Sequence, residues 1–359
     1  MQSRMPPSPL KGRGAAANPP ARFVATRTAP VDDGWTPEPT PESIATEVRP
    51  ERSRSVISRN DSPDIPFEQS INPYRGCEHG CVFCYARPTH AYLDLSPGLD
   101  FETRLFYKPD AAALLRAELA RPGYRCRHIM LGANTDPYQP IERRLGVTRA
   151  VLEVLAETRH PVSITTRSAL ILRDLELLRA MAADGLLSVF VSITTFDDEL
   201  KRRLEPRSAA SGARLHVLRE LSAAGVPVGV MAAPMIPAVN DWELETILTR
   251  AAEAGARRAG YVLLRLPLEV KDLFRQWLDA HLPERAAHVM ALVQSTRGGR
   301  DNDARFGQRM GGTGAWAQLL HDRFRLACRR LGLDSGRATH LDHTLFRPPA
   351  DGGQLQLGL

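Results

Sequence analysis

From residue 61 to about residue 335, short β-branched or apolar runs alternate with longer stretches whose apolar positions recur every three or four residues. Six runs read as strands: QSIN (69–72), HIML (128–131), VSITT (162–166), SVFVSIT (188–194), VGVMAA (228–233) and GYVLLRL (260–266). A helical pattern follows each. In DAAALLRAELA, Asp110 is the expected N-cap; in NDWELETILTRAAEAG, Leu244, Ile247, Leu248 and Ala251 share a face and Gly255 stops the helix. Alternating strands and helices predict right-handed crossovers and a parallel sheet, because each helix packs back on the sheet it left. Six units suit an open α/β barrel or a doubly wound sheet, and no internal repeat points to a solenoid. Downstream, residues 268–297 read as two helices broken near Pro283 and residues 314–333 as a third, together expected as a C-terminal appendage.

The two ends lack this periodicity. Residues 1–60, with MPPSP and PEPTPES, are expected to be a disordered Pro- and Arg-rich leader, and 349–359 a flexible tail. Between them the expected division is a core over 61–280 and a helical, Arg-rich extension over 281–348. No apolar run reaches the roughly 18 residues of a membrane span, and MQSRMPPSPLKGRG has no apolar stretch of the kind a secretory signal needs. A cytoplasmic location without a membrane partner is therefore expected. The net charge of +6 comes from the ends: residues 61–296 hold 28 basic and 29 acidic side chains, whereas 297–347 hold ten and five. Attraction to a polyanion would centre on TRGGRDNDARFGQRMGGTG, where arginines and glycine amides suit phosphate. An arginine-rich surface or a turn-rich linker explains the same letters.

In parallel α/β architectures ligands gather at the carboxyl ends of the strands. The polar residues there are those of 77–84 after the first run, Asn134 to Asp136 after the second, Thr166 and Arg167 after the third and Thr194 and Thr195 at the end of the fourth. The PMIPAVND loop follows the fifth, and Arg265 lies near the end of the sixth. Residues 77–84 read CEHGCVFC, three thiols in eight residues, in a chain with five cysteines altogether. That count is no disulfide framework; clustered thiolates point to zinc or to an iron–sulfur cluster. A structural zinc site needs a fourth ligand, and His79 is awkwardly placed between Cys77 and Cys81. A four-iron cubane on three thiolates instead leaves one iron open to a substrate or cofactor.

The CxxxCxxC spacing, on a loop after the first strand of a six-fold β/α pattern, resembles the radical S-adenosylmethionine (SAM) superfamily, and Cys77, Cys81 and Cys84 match it position for position. The resemblance implies a partial (β/α)6 TIM-type barrel with a C-terminal helical extension. It also implies a [4Fe-4S] cluster on the three cysteines and SAM chelated to the open iron through its amino and carboxylate groups. Phe83, just before the last cysteine, would pack near the adenine, and a low-potential donor of the flavodoxin or ferredoxin type would supply electrons. By the same analogy Asn134 and Thr135 grip the methionine amino end, and Arg167 pairs with the SAM carboxylate as a charged fork. Ser192 and Thr194, two residues apart, would face the ribose. Asn240 is expected as a helix cap or an adenosine contact.

A closer resemblance rests on INPYRGCEHGCVFCYARPTH, SPGLDFET, DPYQPIE, RLEPRSAA, AGVPVGVMAAPMIPAVND and RFGQRMGGTG. Together these look like a branch of the superfamily related to the spore photoproduct lyases, which repair DNA. The branch implies a nucleic-acid or nucleotide substrate and a DNA or RNA partner. The chain departs from the lyases at LGANTDPY, where Asn134 stands in place of their hydrogen-donating cysteine, and at Arg167, where they commonly carry lysine. Cys126 and Cys328 read as buried or idle, and two spare thiols are too few for a second cluster. Asp136, Tyr138, Gln139 and Glu142 of DPYQPIE either face the active centre, with Tyr138 relaying a hydrogen or stacking on a base, or form a structural loop held by Pro137 and Pro140. The runner-up reading is the same chemistry on a peptide or small metabolite. A third is a zinc-stabilised nucleic-acid-binding module without turnover.

Overall fold

A computed structural model describes residues 10–24, 43–336 and 341–349 of the 359. The strands are β1 (Glu47–Pro50), β2 (Ile57–Arg59), β3 (Gln69–Ile71), β4 (Tyr74–Arg75), β5 (Arg104–Tyr107), β6 (Ile129–Leu131), β7 (Val162–Thr166), β8 (Leu187–Ser192), β9 (Val228–Met235) and β10 (Arg258–Leu263). The helices are α1 (Asp100–Thr103), α2 (Ala111–Leu119), α3 (Glu142–Leu145), α4 (Val147–Glu157), α5 (Leu175–Ala183), α6 (Asp198–Leu204), α7 (Ser211–Ala223), α8 (Leu244–Glu253), α9 (Val270–His281), α10 (Ala286–Ser295) and α11 (Gly314–Leu331).

The six expected strands form one parallel array in the order β3-β6-β7-β8-β9-β10, and β2 adds to β3 antiparallel at one edge. β7 and β8 bury nearly every side chain, the pattern of strands covered on both faces. Val151 and Leu152 of α4, Leu178 of α5, Leu218 of α7 and Leu248 of α8 meet the strands' Val and Ile side chains in one apolar core. The expected face of α8 is the buried one, and Gly255, at φ +98°, follows its end. Asp110 precedes α2, but its side chain makes no capping hydrogen bond.

The helices after β10 are no appendage. α11 packs on α8 and β10, and Leu320, Phe324, Ala327 and Cys328 lie in the main core. A sixth strand needs a covering helix as much as the other five, and α11 supplies it. α9 and α10 bury Phe274, Trp277 and Val289 with Val82, Phe83, Leu204 and Ile236, so the expected boundary at residue 280 falls inside a packed unit.

The expected disordered leader is also corrected. Residues 10–24 and 43–60 dock on the core; 1–9 and 25–42 lie outside the described residues, as does the tail beyond residue 349. β1 pairs parallel with β5, and β4 joins β5 antiparallel, making a small separate sheet. What anchors the segment is largely polar, beside a small apolar cluster of Leu10, Ala15 and Ile44 with Leu99 and Leu273. Arg13 is buried and donates to the Glu102 carbonyl at 2.9 Å, while the amides of Gly14 and Ala15 donate to the Glu102 carboxylate at 3.0 and 2.9 Å. Such anchoring leaves no hydrophobic period to read.

Residues 297–313 form a strap. Its first residue, Arg297, donates to the carbonyls of Leu263 and Leu264, and the Leu263 amide of β10 donates to the Met310 carbonyl at 3.0 Å. Just before Met310, the Gly307 amide and Arg309 Nε donate to Asp64 at 2.6 and 2.5 Å, and Arg309 also reaches Ser62. The strap thus runs from the β10 flank of an open sheet to the segment following β2. Arg297, expected as a phosphate ligand, is fully buried and donates to the carbonyls of Leu263, Leu264, Gln308 and Arg309. It holds the strap's shape instead.

Candidate active site

The three clustered cysteines sit on the loop that follows β4. Cys77 and Cys81 are buried, and Cys84 is half-buried. The loop needs glycine at residue 76, where φ is +75° and a Cβ would lie 2.6 Å from Leu105. Burial pushes the Cys77 thiol up, as does the charge of Asp136; burial also pushes Cys81 up to about 12, against the pull of Arg167. Among the described residues, no three His, Cys, Asp or Glu side chains converge as one metal ion would require. Neighbouring but spread thiols fit a cluster whose corners each take one thiolate better than a closed zinc site, in which all the donors converge on one ion.

Three supports hold this loop. The first is the segment after β6. Asp136 accepts from the Thr166 hydroxyl at 2.7 Å, the Arg167 amide at 2.8 Å and the Tyr138 amide at 2.9 Å, and lies 3.4 Å from His79 Nδ1. Burial alone would raise its pKa, yet His79, Thr166 and the Arg167 amide hold it down at about 2. Gln139 accepts from the Glu78 amide at 2.9 Å and donates to the Gly76 carbonyl at 3.2 Å. Tyr138 is fully buried and donates to Asp174 at 3.1 Å, while Glu142 accepts from Tyr74 and Arg173. DPYQPIE is thus a buttress, and its tyrosine does not face the centre.

The second support is RLEPRSAA (203–210). Val82 donates to the Leu204 carbonyl at 3.0 Å and Arg207 donates from its amide to the His79 carbonyl at 3.2 Å. Glu205, fully buried, binds Arg214 and Arg167, each at 2.5 Å. Burial would raise the pKa of Glu205, but Arg214 and Arg167 hold it below the usual carboxylate range. The third support lies underneath. Arg87 donates to the Cys81 carbonyl at 2.8 Å and pairs with Glu102, both side chains being wholly buried. Glu102 in turn holds the N-terminal segment.

Each residue expected from the sequence has a definite place. Arg167 Nη1 lies 3.3 Å from Cys81 Sγ, and its guanidinium lies 5.6 Å from the centre of the buried Phe83 ring. Burial would depress this guanidinium, but Cys81 and Glu205 raise it well above its ordinary value. The fork expected for SAM thus already holds Glu205 and the cluster loop. Asn134 is exposed, three residues beyond the end of β6, its amide donating to Asn72 Oδ1 at 2.9 Å. Thr135 is buried and donates its hydroxyl to the Tyr74 carbonyl at 2.9 Å. Ser192 ends β8, its carbonyl accepting from Arg214, and Thr194, beyond the strand, donates to the Ala233 carbonyl at 3.2 Å. Asn240 neither caps by its side chain nor opens toward the centre: it accepts from the Ile236 amide and donates to the Thr194 and Pro234 carbonyls, tying β8's end to β9's. Cys126 lies three residues before β6, and Cys328 is buried in α11. No local signal in the sequence marks Glu205, Arg214, Arg87 or Glu102 as site residues; RLEPRSAA carries only a family likeness.

Residues 71–251, half of the chain, match the radical SAM superfamily. The chain belongs to that superfamily. This radical SAM enzyme is 37% identical over 284 residues to an uncharacterised protein of Mycobacterium tuberculosis, covering 76% of its own length and 84% of the relative's. It is 27% identical over 214 residues to an uncharacterised protein of Methanocaldococcus jannaschii, covering 60% and 76%. Among solved structures it is similar to a spore photoproduct lyase mutant with bound AdoMet and dinucleoside spore photoproduct, with TM-score 0.58, 18% identity and 82% of each chain covered. At that identity the likeness shows the fold: an α/β radical SAM architecture built on a parallel sheet. Membership implies [4Fe-4S] and SAM binding. No helix among the described residues is long and apolar enough to cross a membrane.

Proposed function

We propose that this radical SAM enzyme binds a [4Fe-4S] cluster through Cys77, Cys81 and Cys84, cleaves SAM reductively beside it, and acts on a nucleic acid or nucleotide. The observation that carries the reading is the meeting of Cys81 with Arg167, backed by Glu205 and Arg214. Three thiolates bring negative charge into a nearly dry loop, and a fixed guanidinium offsets it. The chemistry such a cluster supplies is one-electron cleavage of the sulfonium to methionine and a 5'-deoxyadenosyl radical. The chain's own part is to hold SAM and exclude water. In this reading Phe83 lies along the adenine, exposed Asn134 meets the methionine amino end with Thr135 behind it, and Ser192 and Thr194 border the ribose. A low-potential flavodoxin or ferredoxin would be the cellular reductant.

The nucleic-acid reading is supported by arginines laid on exposed rings at the carboxyl side of the sheet. Arg309 covers Phe306 at 4.7 Å and Arg285 covers Trp242 at 6.0 Å. Charged groups interleaved with open aromatic faces suit phosphates and unstacked bases. The test is anaerobic purification, dithionite reduction and assay of 5'-deoxyadenosine with and without DNA or RNA. Iron with acid-labile sulfide and a product yield raised by nucleic acid are expected. Replacing all three cysteines by alanine should abolish colour and product; SAM cleavage that survives it overturns the site, and indifference to nucleic acid overturns the substrate class.

A further inference from the structure

Arg265 follows β10 at the carboxyl side of the sheet and has little to hold. Its Nε is buried without a partner, Nη1 has only the Met310 sulfur at 3.7 Å, and its guanidinium lies 5.3 Å from the centre of the Tyr85 ring. Among the described residues it makes no ion pair. The other arginines of this region are engaged: Arg167 and Arg214 share Glu205, Arg309 has Asp64, and Arg297 has four carbonyls. Burial pushes the Arg265 guanidinium below its ordinary value; Tyr85 and Asp64 oppose this, and Arg309 adds to it. A half-buried cation beside another cation, with one buried donor, Nε, pointing at nothing, is costly unless an anion comes to it.

The surroundings say which anion. Tyr85 directly follows Cys84, is 45% exposed, and donates its hydroxyl to the Ala133 carbonyl, so its ring is held with one face on Arg265. Arg309 and Met310 belong to the strap, which also carries the exposed Phe306. Arg265 therefore stands between the cysteine loop and the arginine-rich strap, whereas Arg167 is the cation at Cys81. We propose that Arg265 docks one backbone phosphate of a single-stranded or locally unstacked nucleic-acid substrate, with a base against the open part of Tyr85. This rests on the nucleic-acid reading above and assigns the contact that presents the substrate to the site.

The experiment is fluorescence anisotropy of the cluster-loaded protein with fluorescein-labelled single-stranded DNA and RNA about 12 nucleotides long, over a salt series. Arg265→Gln is expected to weaken binding about tenfold and to lower the slope of log affinity against log salt by about 0.7, the value for one single-strand phosphate. Arg265→Lys keeps the charge without the planar fork, so it should restore the slope and only part of the affinity. It also carries the test if the glutamine variant does not fold. An unchanged slope and affinity in Arg265→Gln overturns the proposal and leaves the nucleic-acid reading standing. No binding by the wild-type protein overturns both. A loss of SAM affinity with oligonucleotide binding retained overturns it in favour of a SAM carboxylate at Arg265.

Discussion

Glu205 is the residue on which the site's charges turn. It is wholly buried between Arg167 and Arg214, and through Arg167 it bears on Cys81. Glu205→Gln removes the charge but keeps the shape, leaving the buried Arg214 and the partly buried Arg167 short of a counter-ion. It is expected to lower unfolding stability by about 3 kcal/mol, read as a shifted urea midpoint, and to reduce the iron retained after reconstitution. A midpoint unchanged from wild type would show that the pair is not a structural element. The gathering of Cys77, Cys81 and Cys84 on one loop was legible because three thiols fall within eight residues; what they hold, and the part of Phe83, belong to the proposal above. Glu205, Arg87 and Glu102 were not legible, because a charged letter in sequence reads as surface until its partner is known. Arg13 finds the Glu102 backbone across 89 positions, and no local pattern signals that.

Among the elements, the strands and crossover helices could be read because each carries its own hydrophobic period. The N-terminal segment could not, since its contacts follow no period: backbone amides, Arg13 and Arg22, and the scattered Leu10, Ala15 and Ile44. Its closest approach is glycine on glycine: a Cβ at Gly14 would lie 1.7 Å from the Gly80 carbonyl oxygen. Gly14→Val is therefore expected to lift residues 10–24 off the cysteine loop and leave the Glu102 carboxylate without two of its donors. The measurement is limited trypsin digestion, with faster cleavage after Arg13 and Arg22 and about 1–3 kcal/mol lost in urea. Cleavage as slow as in the wild type would mean that the segment does not depend on that contact. The same distinction explains why α11 was misjudged. Its apolar face was visible, but not which strand lacked a cover.

For the whole molecule, acid is the informative stress. His90 and His160 are buried, and burial pushes both imidazoles from 6.5 down to about 4. The unfolded chain takes up their protons more readily than the folded one, so this part of the stability is complete above about pH 6.5 and is lost as pH falls toward 4. Each contributes at most about 3 kcal/mol. Asp136, held at about 2, would give up its share only in stronger acid. Urea midpoints at about pH 7 and pH 4.5 check this, and equal midpoints would mean that the two rings are not held neutral.

Because the parallel strands never close on themselves, one flank of the molecule is a seam, and Asp64 is its clasp. Undoing a clasp disturbs no strand pairing. Under the nucleic-acid reading proposed above, a long polymer would then be laid into such a molecule from the side, with neither of its ends threaded through a hole.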